Sequence, residues 1–116
     1  MFLQLSHTKL AVFESSKLLT LELYRITRNF PNDEKYAMVQ QIRRAALSVH
    51  LNVAEGCSRK TVVERRRFFE ISRGSLIEVD AALGIAFELK YISPTDSDIT
   101  KELIVTTFKQ LCGLLR

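Results

Sequence analysis

Apolar residues recur along this chain every three to four positions, in four blocks separated by short breaks, which is the pattern of amphipathic helices. The first block, Leu10, Phe13, Leu18, Leu21 and Tyr24 with Leu3 before it, predicts a helix from about Thr8 to Phe30, capped by Ser6 or Thr8. Pro31 ends it, because a proline pushes the residue before it out of the helical region. Asn32 and Asp33 can cap a second helix from about Asp33 to Glu55, with Ile42, Ala46, Val49 and Val53 as its inward stripe and Gly56 suited to a left-handed end. Thr61 and Glu64 form the ends of a capping box for a third helix reaching about Lys90, roughly 40 Å long at 1.5 Å per residue. Its seam reads Phe68, Ile71, Ser75, Glu78, Ala82, Ile85 and Leu89, flanked by Phe69, Leu76, Val79, Leu83 and Ala86. A fourth helix, about Asp98 to Leu115 with caps in Thr95 to Asp98, carries Ile99, Leu103, Thr106 or Ile104, Phe108, Leu111 and Leu115. Short connections between long helices make sequence neighbours antiparallel, so the expected fold is all-α, a single up-down-up-down four-helix bundle over residues 1–116.

Polar residues interrupt these stripes at particular places. Arg44, Ser48, Asn52 and Glu55 run beside the apolar stripe of the second helix, and Ser75 and Glu78 lie within the expected seam of the third. In a hairpin turning near Ser58, Arg43 falls level with Gly74 and Arg44 with Arg73, and Gly74 would let the backbones approach. A carboxylate in an apolar seam is costly unless partnered, so Glu78 is expected to bond Arg43 or Arg44. Glu55 meets the negative end of its helix dipole and needs Arg59, Arg65 or Arg66 beside it. Arg43, Arg44, Asn52, Glu55, Ser75 and Glu78 are thus read as a polar network that fixes register.

Charge adds a second theme. Residues 43–73 hold eight basic and three acidic residues, a net of +5 in a chain of formal charge +4. Arg59, Lys60, Arg65, Arg66, Arg67 and Arg73 gather at one end of the expected bundle, as a nucleic-acid-binding surface or as a solvated helix face. Three consecutive arginines span most of a helix circumference, so at least one must point outward.

Enzymatic chemistry finds little support. Ser48 and His50 are two apart and point to different faces, Glu55 and Glu78 lie far apart along the hairpin, and no Glu-x-x-His motif exists for a di-metal site. Cys57 and Cys112 lack CxxC spacing, so no zinc site, cofactor or catalytic residue is expected. The absence of a signal-type segment and of a long apolar run predicts a cytoplasmic protein with reduced thiols and no membrane partner.

The residues Phe30-Pro31, Glu34, Tyr36 and Gln41, the run RRAALSVHLNVAEG from Arg43 to Gly56, then Arg59, Phe68-Phe69 and GSLIE from Gly74 to Glu78 carry a resemblance. The chain resembles the bacterial four-helix bundle family of the 23S rRNA intervening sequence over almost its whole length. That family typically has proline where this chain has His50, and an aromatic, often Trp, where it has Phe13. The resemblance implies an antiparallel four-helix bundle assembling as a homopentamer. It extends to the accessory protein of diversity-generating retroelements, a basic pentamer that associates with nucleic acid and a reverse transcriptase. A nonenzymatic oligomer that binds RNA or DNA is therefore the first expectation. A structural bundle with a protein partner, whose polar motif only maintains fold and oligomer, is the second.

Overall fold

The computed structural model describes residues 2–116. Four α-helices make up the bundle: α1 (Ala11–Thr27), α2 (Met38–Ser58), α3 (Val62–Glu88) and α4 (Pro94–Leu114), with no strand among the described residues. Two short 3₁₀ turns, Ser6–Lys9 and Asn32–Glu34, precede α1 and α2. Each helix packs on its sequence neighbours and α1 also packs on α4, which closes an antiparallel square measuring 43 × 28 × 21 Å.

The inward stripe of α2 is as the spacing predicts: Ile42, Ala46, Val49 and Val53 have no accessible surface. The other helices correct the expectation. Leu18 and Leu21 of α1 are exposed, and the core face is instead Val12, Phe13, Ser16, Leu19, Thr20, Leu23, Ile26 and Thr27. Buried hydroxyls pass as polar in a hydropathy pattern, yet each here is satisfied by its own helix. Ser16 donates to Phe13 O, Thr20 to Ser16 O and Thr27 to Leu23 O, so their burial leaves no unpaired group.

For α3 the two apolar lines exchange roles. Phe69, Ser72, Leu76, Val79, Leu83 and Ala86 are buried, whereas Ile71, Ile85, Leu89 and Glu78 of the expected seam are exposed. In α4, Thr100, Thr107, Leu111 and the following Leu115 are buried, while Ile99 and Phe108 remain partly outside.

Helix ends shift for local reasons. Leu10, extended and without a side-chain cap, precedes α1, so neither Ser6 nor Thr8 serves as its cap. Asn32 and Asp33 fall in the 3₁₀ turn, and α2 starts five residues later than Asp33. Thr61 Oγ1 accepts from the Glu64 amide at 3.1 Å, but the Glu64 carboxylate takes the Thr61 hydroxyl rather than reaching back to its amide. Helix α4 begins four residues before the expected Asp98, because Ser93 caps the Asp96 amide at 3.1 Å and Pro94 occupies the first helical position.

Gly56 does not adopt a left-handed conformation, and α2 continues through it to Ser58. Its role is steric. A Cβ there would stand 2.7 Å from Phe69 Cε1 and 3.2 Å from Phe68 Cβ, so α3 can lie this close only against glycine. Gly74, expected to provide the close approach, faces open space. Gly56→Ala is expected to destabilise the fold by about 1–3 kcal/mol through overpacking. Gly74→Ala should raise stability by about 0.5–1 kcal/mol through helix propensity. Thermal melts of the two variants check both signs, and equal effects would refute the steric assignment.

Candidate nucleic-acid interface

The basic end of the molecule is built on the turn from α2 to α3. Arg59 caps α2 in an extended conformation, its amide bonded to Gly56 O, and three residues later α3 starts. Arg59 lies over the Phe68 ring at 4.7 Å and bonds Glu55 at 3.2 Å, so the carboxylate at the negative end of α2 has its cation. Arg65 then staples the turn: its Nε donates to Arg59 O at 2.8 Å and its Nη2 to Lys60 O at 3.5 Å.

The six basic residues separate into three groups. Arg59 and Arg65, with Lys60 between them, define the turn. Arg66 and Arg73, one heptad apart, face the C-terminal part of α4: Arg66 Nη1 lies 3.4 Å from Arg116 O and Arg73 Nη1 4.0 Å from Cys112 Sγ. Arg67 is exposed and, like Lys60, has no side-chain hydrogen bond or ion pair among the described residues. Among those residues Arg59 is the one member of the six in a salt bridge. An open hollow of about 440 Å³ beside the turn is lined by Ser6, Leu10, Cys57, Val62, Arg65, Arg66, Phe69 and Leu114. Burial pushes the Cys57 thiol up, against the pull of Arg65.

The polar network differs from the expected one. Ser48 and Ser75 share a hydrogen bond of 2.7 Å, Asn52 Nδ2 donates to Ser48 O at 2.8 Å, and Ser72 donates to Val49 O at 2.7 Å, which pins α2 to α3. Arg43 and Arg44 do not meet Glu78, whose carboxylate accepts from Gln41 Nε2. The physical reason is the register, in which Ser48 rather than Arg43 is opposite the stretch around Ser75, and the exposure of Glu78, which removes its need for an arginine. Arg43 turns the other way, to α1. Its Nε donates to Thr27 Oγ1 at 2.9 Å, its Nη2 to Tyr24 O at 3.2 Å, and its guanidinium lies 4.6 Å from the Tyr24 ring. Arg44 is exposed and unpaired among the described residues.

His50 also joins α2 to α1. Its Nδ1 is 2.8 Å from Ser16 Oγ, and its ring packs on Phe13 at 4.4 Å. Ser16 is fully buried, so this Ser–His contact offers no reachable nucleophile. Burial first, then the charges of Lys17 and His7, hold the imidazole below its ordinary pKa, with Glu14 opposing. No group of three His, Cys, Asp or Glu side chains capable of holding a metal occurs among the described residues, and no helix there is long and apolar enough to cross a membrane.

These features define a class: an antiparallel four-helix bundle whose polar groups lock one hairpin and whose cations gather at the turn. The family model described as 23S rRNA-intervening sequence protein matches residues 8–113, and the chain belongs to that family. Its fold matches the crystal structure of a protein of unknown function from the S23 ribosomal protein family of Bacteroides thetaiotaomicron. That likeness has a TM-score of 0.84 at 17% identity, over 91% of this chain and 99% of the other. No curated protein matches.

Because the folded-state pKa of His50 is lowered, the neutral ring contributes stability that is complete above about pH 6.5 and is lost as pH falls through the folded-state value. The melting temperature is expected to fall as pH drops below about 6.5, and a His50→Gln protein should show a flatter profile there. Melts at stepped pH test this; parallel profiles for the two proteins would refute it.

Proposed function

We propose that this protein is a nonenzymatic homo-oligomer that binds RNA or DNA through the surface formed by Arg59, Lys60, Arg65, Arg66, Arg67 and Arg73. The observation that carries this reading is the shortage of internal counter-charge at the turn. Of these six cations only Arg59 has a side-chain carboxylate partner among the described residues, and Arg65 bonds backbone carbonyls, which leave its charge uncompensated. A field of this kind recruits phosphates and releases their counterions.

Assembly is supported by where apolar side chains remain outside. Leu18, Leu21, Leu47 and Leu51 stand on the outer sides of α1 and α2, and Ile77, Val105 and Phe108 on α3 and α4. In the square bundle these are opposite faces. Two unlike patches on opposite sides favour a head-to-tail contact over a two-fold one, and such a contact closes into a ring when its rotation permits, as in the homopentamer proposed here. The alternative, a structural bundle with a protein partner and an incidental basic end, rests on the same apolar faces.

Salt separates the two readings. Retention of single-stranded RNA or DNA should weaken steeply with salt, and changing Arg65, Arg66 and Arg67 to Glu should lower the slope of log affinity against log salt by about 2 or more. Light scattering across the same series should show one oligomer for both proteins. Unchanged retention in the triple variant would sink the nucleic-acid reading, whereas a variant that dissociates would place the arginines in the subunit contact.

A further inference from the structure

At the opposite end of α2 from the basic turn lies a second cationic feature with no obvious trace in the sequence pattern. The chain leaves α1 through Arg28, makes the Asn32–Glu34 turn, and enters α2, so that Thr27, Arg28, Asn32, Lys35 and Arg43 border an open hollow of about 250 Å³. Three of these five side chains are cationic and none of the residues lining the hollow carries a carboxylate. Arg43 lies 15 residues before Ser58, the last residue of α2, so the two basic sites are roughly 22 Å apart along the helix axis.

We infer that this hollow is a phosphate-binding site, in which Arg43 is a preset anchor and Arg28 and Lys35 supply the outer charge. Arg43 is half-buried and held from behind, by the Thr27 hydroxyl on Nε, the Tyr24 carbonyl on Nη2 and the Tyr24 ring against its plane. These partners are neutral. They use two of its five N–H groups, and no protein group among the described residues takes the pair on Nη1. A half-buried guanidinium fixed without a counter-charge attracts an anion, and its free edge presents the fork that matches phosphate oxygens.

The acidic residue next to Lys35 is engaged elsewhere: Glu34 accepts the Tyr91 hydroxyl at 3.0 Å. Lys35 leans over the Tyr36 ring at 5.4 Å and has no ion pair, nor has Arg28, among the described residues. At about 250 Å³ the hollow is below the size of a drug-like pocket, which suits a phosphate group rather than a large organic ligand. That phosphate belongs either to a small phosphorylated compound or to a nucleic-acid backbone. The site stands independently of the surface at the turn.

The test is a thermal melt of the full chain in pyrophosphate against chloride at equal ionic strength, beside RNA retention across a salt series. Wild type should gain about 6 °C at ten times the dissociation constant. The Arg28→Ala, Lys35→Ala double variant should lose that gain, while a Lys9→Ala, Lys109→Ala variant of equal charge, changed at exposed lysines outside both basic sites, keeps it. If the gain is lost and RNA retention is unchanged, the ligand is a small phosphorylated compound. An RNA salt slope lowered by about 1.4 in the Arg28, Lys35 variant makes the phosphate part of a polymer. No gain in wild type with an unchanged RNA slope, or an equal gain in both double variants, would overturn the site. A triple glutamate variant at Arg65, Arg66 and Arg67 that loses RNA yet keeps the pyrophosphate gain would show that the two sites fail separately.

Discussion

The contact on which the rest of the bundle depends is the close approach of α2 and α3. Three features produce it: Gly56 under the Phe69 ring, the Ser48–Ser75 pair, and the Ser72 hydroxyl on the Val49 carbonyl. Apolar packing alone tolerates some sliding, because it is roughly proportional to area and has no direction. Hydrogen bonds between small side chains are directional, and unmaking them in a buried seam leaves unpaired groups. The hairpin therefore has one register. That register sets the length of the turn, and the turn sets where Arg59 and Arg65 can reach.

The same device recurs at the other interfaces, which explains much of what the sequence did and did not disclose. Thr107 of α4 reaches Ser15 of α1 at 3.2 Å, Ser15 also meets Gln110, and His50 of α2 meets Ser16 of α1. Hydropathy periodicity counts these residues as outward. It located α2, whose stripe is purely aliphatic, and it located the four helices and their order. It misassigned the face of α1, where serine and threonine occupy core positions, and of α3, where two apolar lines compete and only tertiary packing decides between them. The capping threonine and the Glu55–Arg59 pair were legible because both are set by local spacing. The sequence pattern places the close approach at Gly74 and a left-handed helix end at Gly56, and neither holds, since what separates the two glycines is the ring that stands over Gly56 and the open space beside Gly74.

Charge placement follows from register as well. An arginine in the middle of a hairpin was expected to satisfy a carboxylate across it, but Glu78 lies outside the seam and Gln41 suffices for it. Arg43 is thereby released to α1, where it finds a carbonyl, a hydroxyl and a ring but no negative charge. Arg25 shows the contrast, with Glu22 and Asp96 both on its guanidinium and its pKa raised accordingly. One arginine of the α1 region is neutralised and serves to tie α1 to α4, while the other is fixed yet uncompensated. The difference is visible only once the helices are packed.

Assembly would change the weight of these charges without altering any contact within a subunit. In a closed ring built from head-to-tail contacts, every copy is related to the next by rotation about one axis. Wherever the turn between α2 and α3 stands in one copy, it stands at the same height in all. A single turn offers a handful of unpaired cations, a modest attraction that salt screens within about 10 Å at 0.1 M. Several such turns held at fixed spacing act on one polyanion as linked sites, and the second contact then forms at an effective concentration set by geometry rather than by bulk concentration. The apolar faces and the basic end, which look like separate features in one subunit, are in that arrangement two parts of one mechanism: the faces set the spacing, and the spacing converts weak phosphate contacts into retention.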